Sequence, residues 1–404
     1  MTRFVVIGGG HAAGQAVASL RQDGFTGDID IVGEEPHVPY QRPPLSKQYL
    51  SGEQALDRVY LRAATFYAER NIRLHLGVRA EKIDRAAHTV RLSNGETLTY
   101  DKLLIATGSR ARRLSIAGSD LDGVHYLRTV ADVDAIRAAF DKGKRITIAG
   151  GGYIGLEVAS VAVTAGLEVT VLEMEDRILK RVTTPAMSAY YHQLHTGRGV
   201  KIRCNTKVSG FAGASGHVEA VLTESGEHIP ADLVIVGVGI VPNVELAAEA
   251  GLECDNGIVV DDHCRTADPD IYAAGDCTNH PNKLLGRRLR LESVPNAMEQ
   301  ARVAATNMNG GDATYASIPW FWSDQYELKL QMCGFSADGD SSVVRGDPTT
   351  NQFATFYLKD GVLVAVDAVN SPREFMACRQ MVDKRSKPDP MKLADPKVAL
   401  KDLM

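Results

Sequence analysis

The chain opens on four consecutive apolar residues, Phe4-Val5-Val6-Ile7, that break at Gly8-Gly9-Gly10-His11-Ala12-Ala13-Gly14 and resume at helical spacing through Ala16, Val17 and Leu20. A short apolar run bounded by glycine predicts a buried strand, and the spacing that follows predicts a helix laid against it. A second strand, Asp28-Ile29-Asp30-Ile31-Val32, ends at Gly33-Glu34-Glu35. The same order returns later. Arg145-Ile146-Thr147-Ile148-Ala149 leads into Gly150-Gly151-Gly152-Tyr153-Ile154-Gly155, then a helix through Leu156, Val158, Ala159 and Val163, then Glu168-Val169-Thr170-Val171-Leu172 and Glu173. From Pro319 the pattern changes to alternating strands, 327–332, 353–358 and 362–367, with a helix through Phe375, Met376 and Met381. The tail from Lys384 to Met404 is rich in lysine and proline, which predicts mobility.

Strand, glycine turn, helix is the dinucleotide-binding arrangement. The first glycine makes the turn, the second lets a pyrophosphate approach the backbone, and the third position needs a small residue for close helix packing. Gly8, Gly10 and Ala13 fill these places in the first copy, and Gly150, Gly152 and Gly155 in the second. The helix N-terminus offers unpaired N–H groups and a positive dipole end to the anion. An acidic residue at the end of the next strand accepts from a ribose hydroxyl; Glu34, with Glu35 close behind, and Glu173 stand there. A carboxylate at Glu173 repels a 2′-phosphate and so favours NADH over NADPH, while Arg177 and Arg181 nearby are of the type that accepts such a phosphate. One glycine signature alone is a weak signal; two in matching context predict two dinucleotide sites.

At 404 residues, two or three domains are expected. Lys plus Arg number 45 against 50 Asp plus Glu, a formal charge of -5, which argues against a general nucleic-acid binder. No stretch approaches a membrane span, and Met1 runs into the first strand without a signal-like segment, so the expectation is a cytoplasmic protein without membrane or nucleic-acid partners. Six scattered cysteines show no metal-ligand spacing, and no metal site is predicted.

Three more segments carry a resemblance: 100–109 (Tyr100 through Ala106-Thr107-Gly108-Ser109), 232–243 (Asp232 to Asn243) and 270–277 (with Ala274-Gly275-Asp276-Cys277). With the two glycine signatures they resemble the FAD-dependent pyridine-nucleotide reductases over nearly the whole chain. Members that reduce disulfides carry a thiol pair beside the flavin, whereas the first cysteine here is Cys204. The segment Tyr40-Gln41-Arg42-Pro43-Pro44-Leu45-Ser46-Lys47, together with Tyr126-Leu127-Arg128-Thr129, residues 291–297 and residues 319–325, is similar to the ferredoxin reductases of bacterial oxygenase systems.

That resemblance implies an α/β, glutathione reductase-like fold of two Rossmann-type dinucleotide-binding domains plus a C-terminal α/β domain. The implied boundaries are 1–109 with 243–318 for FAD, 110–242 for NADH and 319–404 for the last domain. Around FAD it implies Gly8, Gly10, Ala13 and Glu34, the cations Arg42, Lys47 and Arg128, and Asp276, Val294 and Trp322. Around NADH it implies Gly150, Gly152, Gly155, Glu173 and Arg181. Lys47 beside flavin N5 and Glu157 on the NADH side are the implied catalytic pair. The implied activity takes a hydride from NADH onto FAD and passes single electrons to an acidic 2Fe-2S ferredoxin, which supplies a haem monooxygenase or a Rieske dioxygenase. A basic run, Lys283, Arg287, Arg288 and Arg290, is the candidate docking patch.

Blander readings accompany these. Lys47 is compatible with an exposed loop lysine, Glu157 with a first-turn helix carboxylate, Trp322 with an ordinary core residue and the basic run with a solvated face. At the level of function, a rubredoxin or other small-carrier reductase and a redox-sensing flavoprotein related to apoptosis-inducing factor are the alternatives.

Overall fold

The computed structural model describes residues 2–140 and 143–404. They form two compact units. The first comprises the described residues up to Arg42, Ala55–Arg110 and Ile240–Pro319; the second comprises Pro43–Gln54, the described residues of Ala111–Gly239, and Trp320–Met404.

The first unit is built on a five-stranded sheet in the order Ile271–Ala273, Lys102–Ile105, Arg3–Ile7, Asp28–Gly33 and Ile72–Leu76, with every pairing parallel. Both faces are covered, which explains the uninterrupted apolar run at the start of the chain. Phe4 and Val6 face the helices His11–Gln22 and Val294–Met308 through Ala13, Ala16, Val17, Ala301 and Ala305. Val5 and Ile7 face the opposite way, into a cluster with Ile83, Val90, Leu92 and Leu98 of a small antiparallel sheet.

The second unit repeats the parallel design. Its strands run Lys201–Arg203, Glu168–Leu172, Arg145–Ala149, Leu233–Val236 and Val124–Tyr126. The helix Tyr153–Thr164 follows the second glycine turn. From Trp320 onward the unit holds an antiparallel five-stranded sheet, ordered Trp320–Gln325, Leu328–Gly334, Val362–Val369, Gln352–Lys359 and Ser341–Asp347. Its apolar side chains Leu328, Leu330 and Phe353 share one core with Leu156, Met187 and Tyr191. Helix Pro372–Asp383 buries Phe375, Cys378 and Met381. The architecture is therefore α/β, as the resemblance implies.

The C-terminal tail departs from its expected mobility. Leu393 and Leu400 are buried, and the segment forms helix Pro390–Ala394 and a final 3-10 turn, Leu400–Leu403. Lysine and proline content misled because it ignores a distant donor. Arg345, itself buried, gives Nη1 to the carbonyl of Asp395 at 2.7 Å and Nη2 to that of Val398 at 2.9 Å, with longer bonds to Leu393 and Pro396. A guanidinium has five N–H groups in a planar fork and can hold several orphan carbonyls together. Arg345→Met is expected to free the tail, raising tryptic cleavage at Lys392 and Lys397 by about tenfold or more, since each lost charge-assisted bond is worth ~1.5–3 kcal/mol. Limited proteolysis followed by mass spectrometry checks it.

Candidate active site

The first glycine turn is fixed by backbone crowding. Gly8 has φ +136°, and a Cβ there would stand 2.2 Å from the carbonyl oxygen of Ala106, so only glycine fits. Gly10 is the N-cap of helix His11–Gln22, carries no side-chain cap, and has nothing within 4 Å of its would-be Cβ. Ala13 is fully buried against the sheet. Open backbone at a helix start, with its first N–H groups uncapped, is a surface on which a pyrophosphate can rest.

Other expected residues converge on this turn. Gly275 sits between the first turns of two helices, its would-be Cβ 3.5 Å from that of Ala12 and 3.6 Å from that of Ala297. Its N–H donates to Gln300 Oε1 at 2.8 Å, and the adjoining Asp276 accepts from Ser109 Oγ at 2.9 Å. Val294 is the first residue of the helix that carries Ala297, capped by Ser293. Glu34 is exposed just past the strand end. Glu35, the second choice at that corner, accepts from Tyr40 Oη at 2.7 Å and from Arg42 Nη2 at 2.9 Å, which pins the Arg42 cation.

In the second unit Gly150 has φ +117°, and a Cβ there would lie 2.4 Å from Gly237 O; one on Gly155 would lie 2.2 Å from Gly150 O. Gly152, the helix N-cap, is open. Glu173 accepts from Gly151 N at 2.8 Å and Glu175 N at 2.9 Å, so the carboxylate is held against the glycine turn with lone pairs to spare. Arg181 is exposed and reaches to 3.8 Å from the would-be Cβ of Gly239. Arg177 is instead committed to its own loop, donating to the carbonyls of Lys180 and Thr183. Arg128 is half-buried; its backbone N–H and that of Thr129 donate to Asp132, which caps the next helix.

Lys47 and Glu157 are brought together. Lys47 Nζ lies 2.6 Å from Glu157 Oε2, with side chains 10% and 4% exposed, so Lys47 is no exposed loop lysine, and Glu157, the fifth residue of its helix, lies past the first turn. Ser46 Oγ donates to the same carboxylate at 2.5 Å and Ser323 Oγ at 2.6 Å. Ser323 was not predicted from the sequence. The period-2 alternation of strand Trp320–Gln325 could have found it, because it turns Ser323 and Gln325 inward and Trp322 to the other side. Trp322 lies half-buried, its ring 5.6 Å from that of Trp320.

The basic run is less free than its sequence suggests. Arg288 donates to Asn279 and to the carbonyl of Val260, and Arg290, 14% exposed, donates to Asn256 and is ion-paired with Glu292. Lys283 pairs with Asp262 but stays 71% exposed, and Arg287 is exposed. All six cysteines are free thiols. Cys277, next to Asp276, is fully buried, and burial pushes its thiol up to about 11, which keeps it a protonated, unreactive group.

The family model described as pyridine nucleotide-disulphide oxidoreductase matches residues 2–301, and the one described as reductase C-terminal matches residues 320–404. The chain belongs to this family and is an oxidoreductase that uses FAD and a nicotinamide dinucleotide. It is 45% identical over 405 residues to the ferredoxin-NAD(+) reductase component of the anthranilate 1,2-dioxygenase system of Burkholderia cepacia, covering 99% of both chains. It is 44% identical to putidaredoxin reductase of Pseudomonas putida, over 99% of this chain and 96% of the relative. A chain of the crystal structure of the covalent putidaredoxin reductase-putidaredoxin complex matches with TM-score 0.95 at 43% identity, covering 100% of this chain and 98% of that one.

Just past Asp276, His280 is buried against the Tyr315 ring with neither ring nitrogen hydrogen-bonded, and desolvation pulls it down to about 4. A histidine held neutral when folded binds its proton only on unfolding, so its contribution is whole above pH 6.5 and is lost as pH falls toward 4. The expected cost is about 2 kcal/mol between pH 7 and pH 5. Asp367, pushed up to about 6 by burial, works in the opposite sense, so the variant is compared with the parent at each pH. Urea unfolding of His280→Leu should show the shallower acid loss; equal slopes in both proteins would refute the assignment.

Proposed function

We propose that the chain is an NADH:ferredoxin reductase serving an oxygenase, either a haem monooxygenase or a Rieske dioxygenase. The observation that carries this reading is the buried Lys47–Glu157 pair in a chain whose thiol next to Asp276, Cys277, is buried and held protonated. Without a thiol relay, electrons leave for an external carrier. FAD supplies the conversion of one hydride into two single-electron steps. The names and full-length coverage of the relatives support a ferredoxin as that carrier, which we take to be of the 2Fe-2S type.

On this reading, residues 1–109 with 243–318 bind FAD, 110–242 bind NADH and 319–404 form the C-terminal domain. The open backbone at Gly10, with Gly8 and Ala13 shaping the turn, takes the FAD pyrophosphate; Glu34 accepts from its ribose, Asp276 from its ribityl chain, and Arg42 and Arg128 supply positive charge. Val294 and Trp322 provide apolar contact. Gly150, Gly152 and Gly155 take the NADH pyrophosphate, helped by Arg181, and Glu173 accepts from the ribose. Lys47 works as the cation that balances negative charge on reduced flavin, and Glu157 holds that ammonium in place until nicotinamide arrives. Lys283, Arg287 and Arg288 present exposed positive charge for docking an acidic ferredoxin, with Arg290, 14% exposed, beside them.

Among the described residues no helix is long and apolar enough to cross a membrane, and the six free thiols support a cytoplasmic location. Anaerobic NADH should bleach the flavin band at neutral pH, and stopped-flow mixing with 2Fe-2S ferredoxins should return it in single-electron steps. A flavin that NADH leaves oxidised overturns the reading. Lys47→Met should slow the bleaching by about tenfold or more with little change in NADH affinity. Glu173→Gln keeps the acceptor oxygen and removes the charge; kcat/KM for NADPH should rise about tenfold relative to NADH in steady-state assays.

A further inference from the structure

The carboxylate of Glu157 is one end of a buried chain of hydrogen bonds. Ser323 Oγ donates to Glu157 Oε1 at 2.6 Å, and Gln325 Nε2 lies 3.2 Å from Ser323 Oγ. Gln325 Oε1 is 2.8 Å from His195 Nε2, and His195 Nδ1 is 3.1 Å from Tyr326 Oη. Ser323, Gln325 and His195 are each 1% exposed or less. Lys47, at the near end, and Tyr326, at the far end, both line one cavity of about 880 Å³.

The direction of every link follows from its end. A carboxylate only accepts, so Ser323 must donate its single proton to Glu157 and must itself accept from Gln325. That turns the Gln325 amide nitrogen toward Ser323 and its oxygen toward His195, which must then donate from Nε2. Nδ1 is left as an acceptor, and Tyr326 fills it. Burial holds the imidazole down to about 4, so His195 is neutral in the one tautomer the chain allows. Four donors are thus aligned toward a single oxygen. Such a chain polarises its members in series and locks the carboxylate it ends on.

We propose that Gln325 and His195 are positioning residues for NADH oxidation, holding Ser323 on Glu157 so that the carboxylate keeps the place from which it governs Lys47. The proposal rests on the reading of Glu157 as part of the hydride-transfer machinery. A misplacement of about 1 Å at such a group is enough to cost up to ~100-fold in rate.

The test is the limiting rate of flavin reduction by NADH in stopped flow, with the NADH Kd from the same titration. Gln325→Leu and His195→Phe should each lower the limiting rate about tenfold and leave Kd within about twofold. His195→Gln, whose amide can reproduce the Nε2–H donor, should restore most of the rate; a purely structural role would instead follow side-chain volume and favour the phenylalanine. In a Glu157→Gln background, Gln325→Leu should add no further loss. Full additivity there would overturn the proposal, as would a wild-type rate in Gln325→Leu with Glu157→Gln slow. A wild-type rate in Glu157→Gln itself would instead remove the underlying reading of that residue. If Gln325→Leu does not retain flavin, the two His195 variants make the same comparison.

Discussion

A buried carboxylate with a lysine beside it organises the second unit. Removing two charges from water costs several kcal/mol per ion before any attraction is counted, and the pair is tolerable only where hydrogen bonds satisfy what water has left. Glu157 meets that condition with Lys47, Ser46 and Ser323, contributed by two segments far from it in the chain. The 3-10 turn Pro43–Ser46, the helix Tyr153–Thr164 and the strand Trp320–Gln325 must therefore be in register with one another to within hydrogen-bond tolerance. The apolar core shared by Leu156, Leu330 and Phe353 supplies the bulk attraction between helix and sheet. The charge pair decides which of the many apolar registers is acceptable.

Against that, the two glycine turns are governed by repulsion. At Gly8, Gly150 and Gly155 a methyl group would stand 2.2–2.4 Å from a carbonyl oxygen, inside any allowed contact. The turn geometry is thereby fixed before any ligand contributes, and the helix starts at Gly10 and Gly152 present their backbone without the cost of reorganisation. Both halves of the chain solve the same problem in the same way, one Rossmann-type sheet in each unit.

What could be read in the sequence is what the chain encodes locally. Phe4 to Ile7 and Arg145 to Ala149 declare strands, and the glycines that follow declare turns, because the responsible forces act within a few residues. The Lys47–Glu157 pair was reached through resemblance, since residues 110 apart carry no local sign of meeting. The hydroxyl of Ser323, the amide of Gln325 and the imidazole of His195 were not singled out: strand alternation marks Ser323 and Gln325 as inward-facing, but nothing local shows that His195, some 130 residues away, meets them. Arg288 and Arg290 were legible as charges but their partners were not, and the tail was misjudged because its anchor, Arg345, lies some fifty residues upstream. In each case the missing information was a contact partner distant in sequence.

The route of the chain has a consequence of its own. It passes between the two units five times, leaving the first after Arg42, returning at Ala55, leaving after Arg110, returning at Ile240 and leaving finally after Pro319. During synthesis, at ~5–20 residues per second, the first unit lacks its outer strand Ile271–Ala273 and the helix Val294–Met308 for most of the time the ribosome is at work. The second lacks the strand that brings Ser323 to Glu157 for longer still. The first unit can close only once Pro319 has emerged and the second only at the end of the chain, so an unfinished chain holds the parallel sheet of the first unit with an unpaired edge at Lys102–Ile105 until Ile271–Ala273 arrives. Such a route leaves a sheet edge open to mispairing for longer than the chain's ordinary composition would suggest.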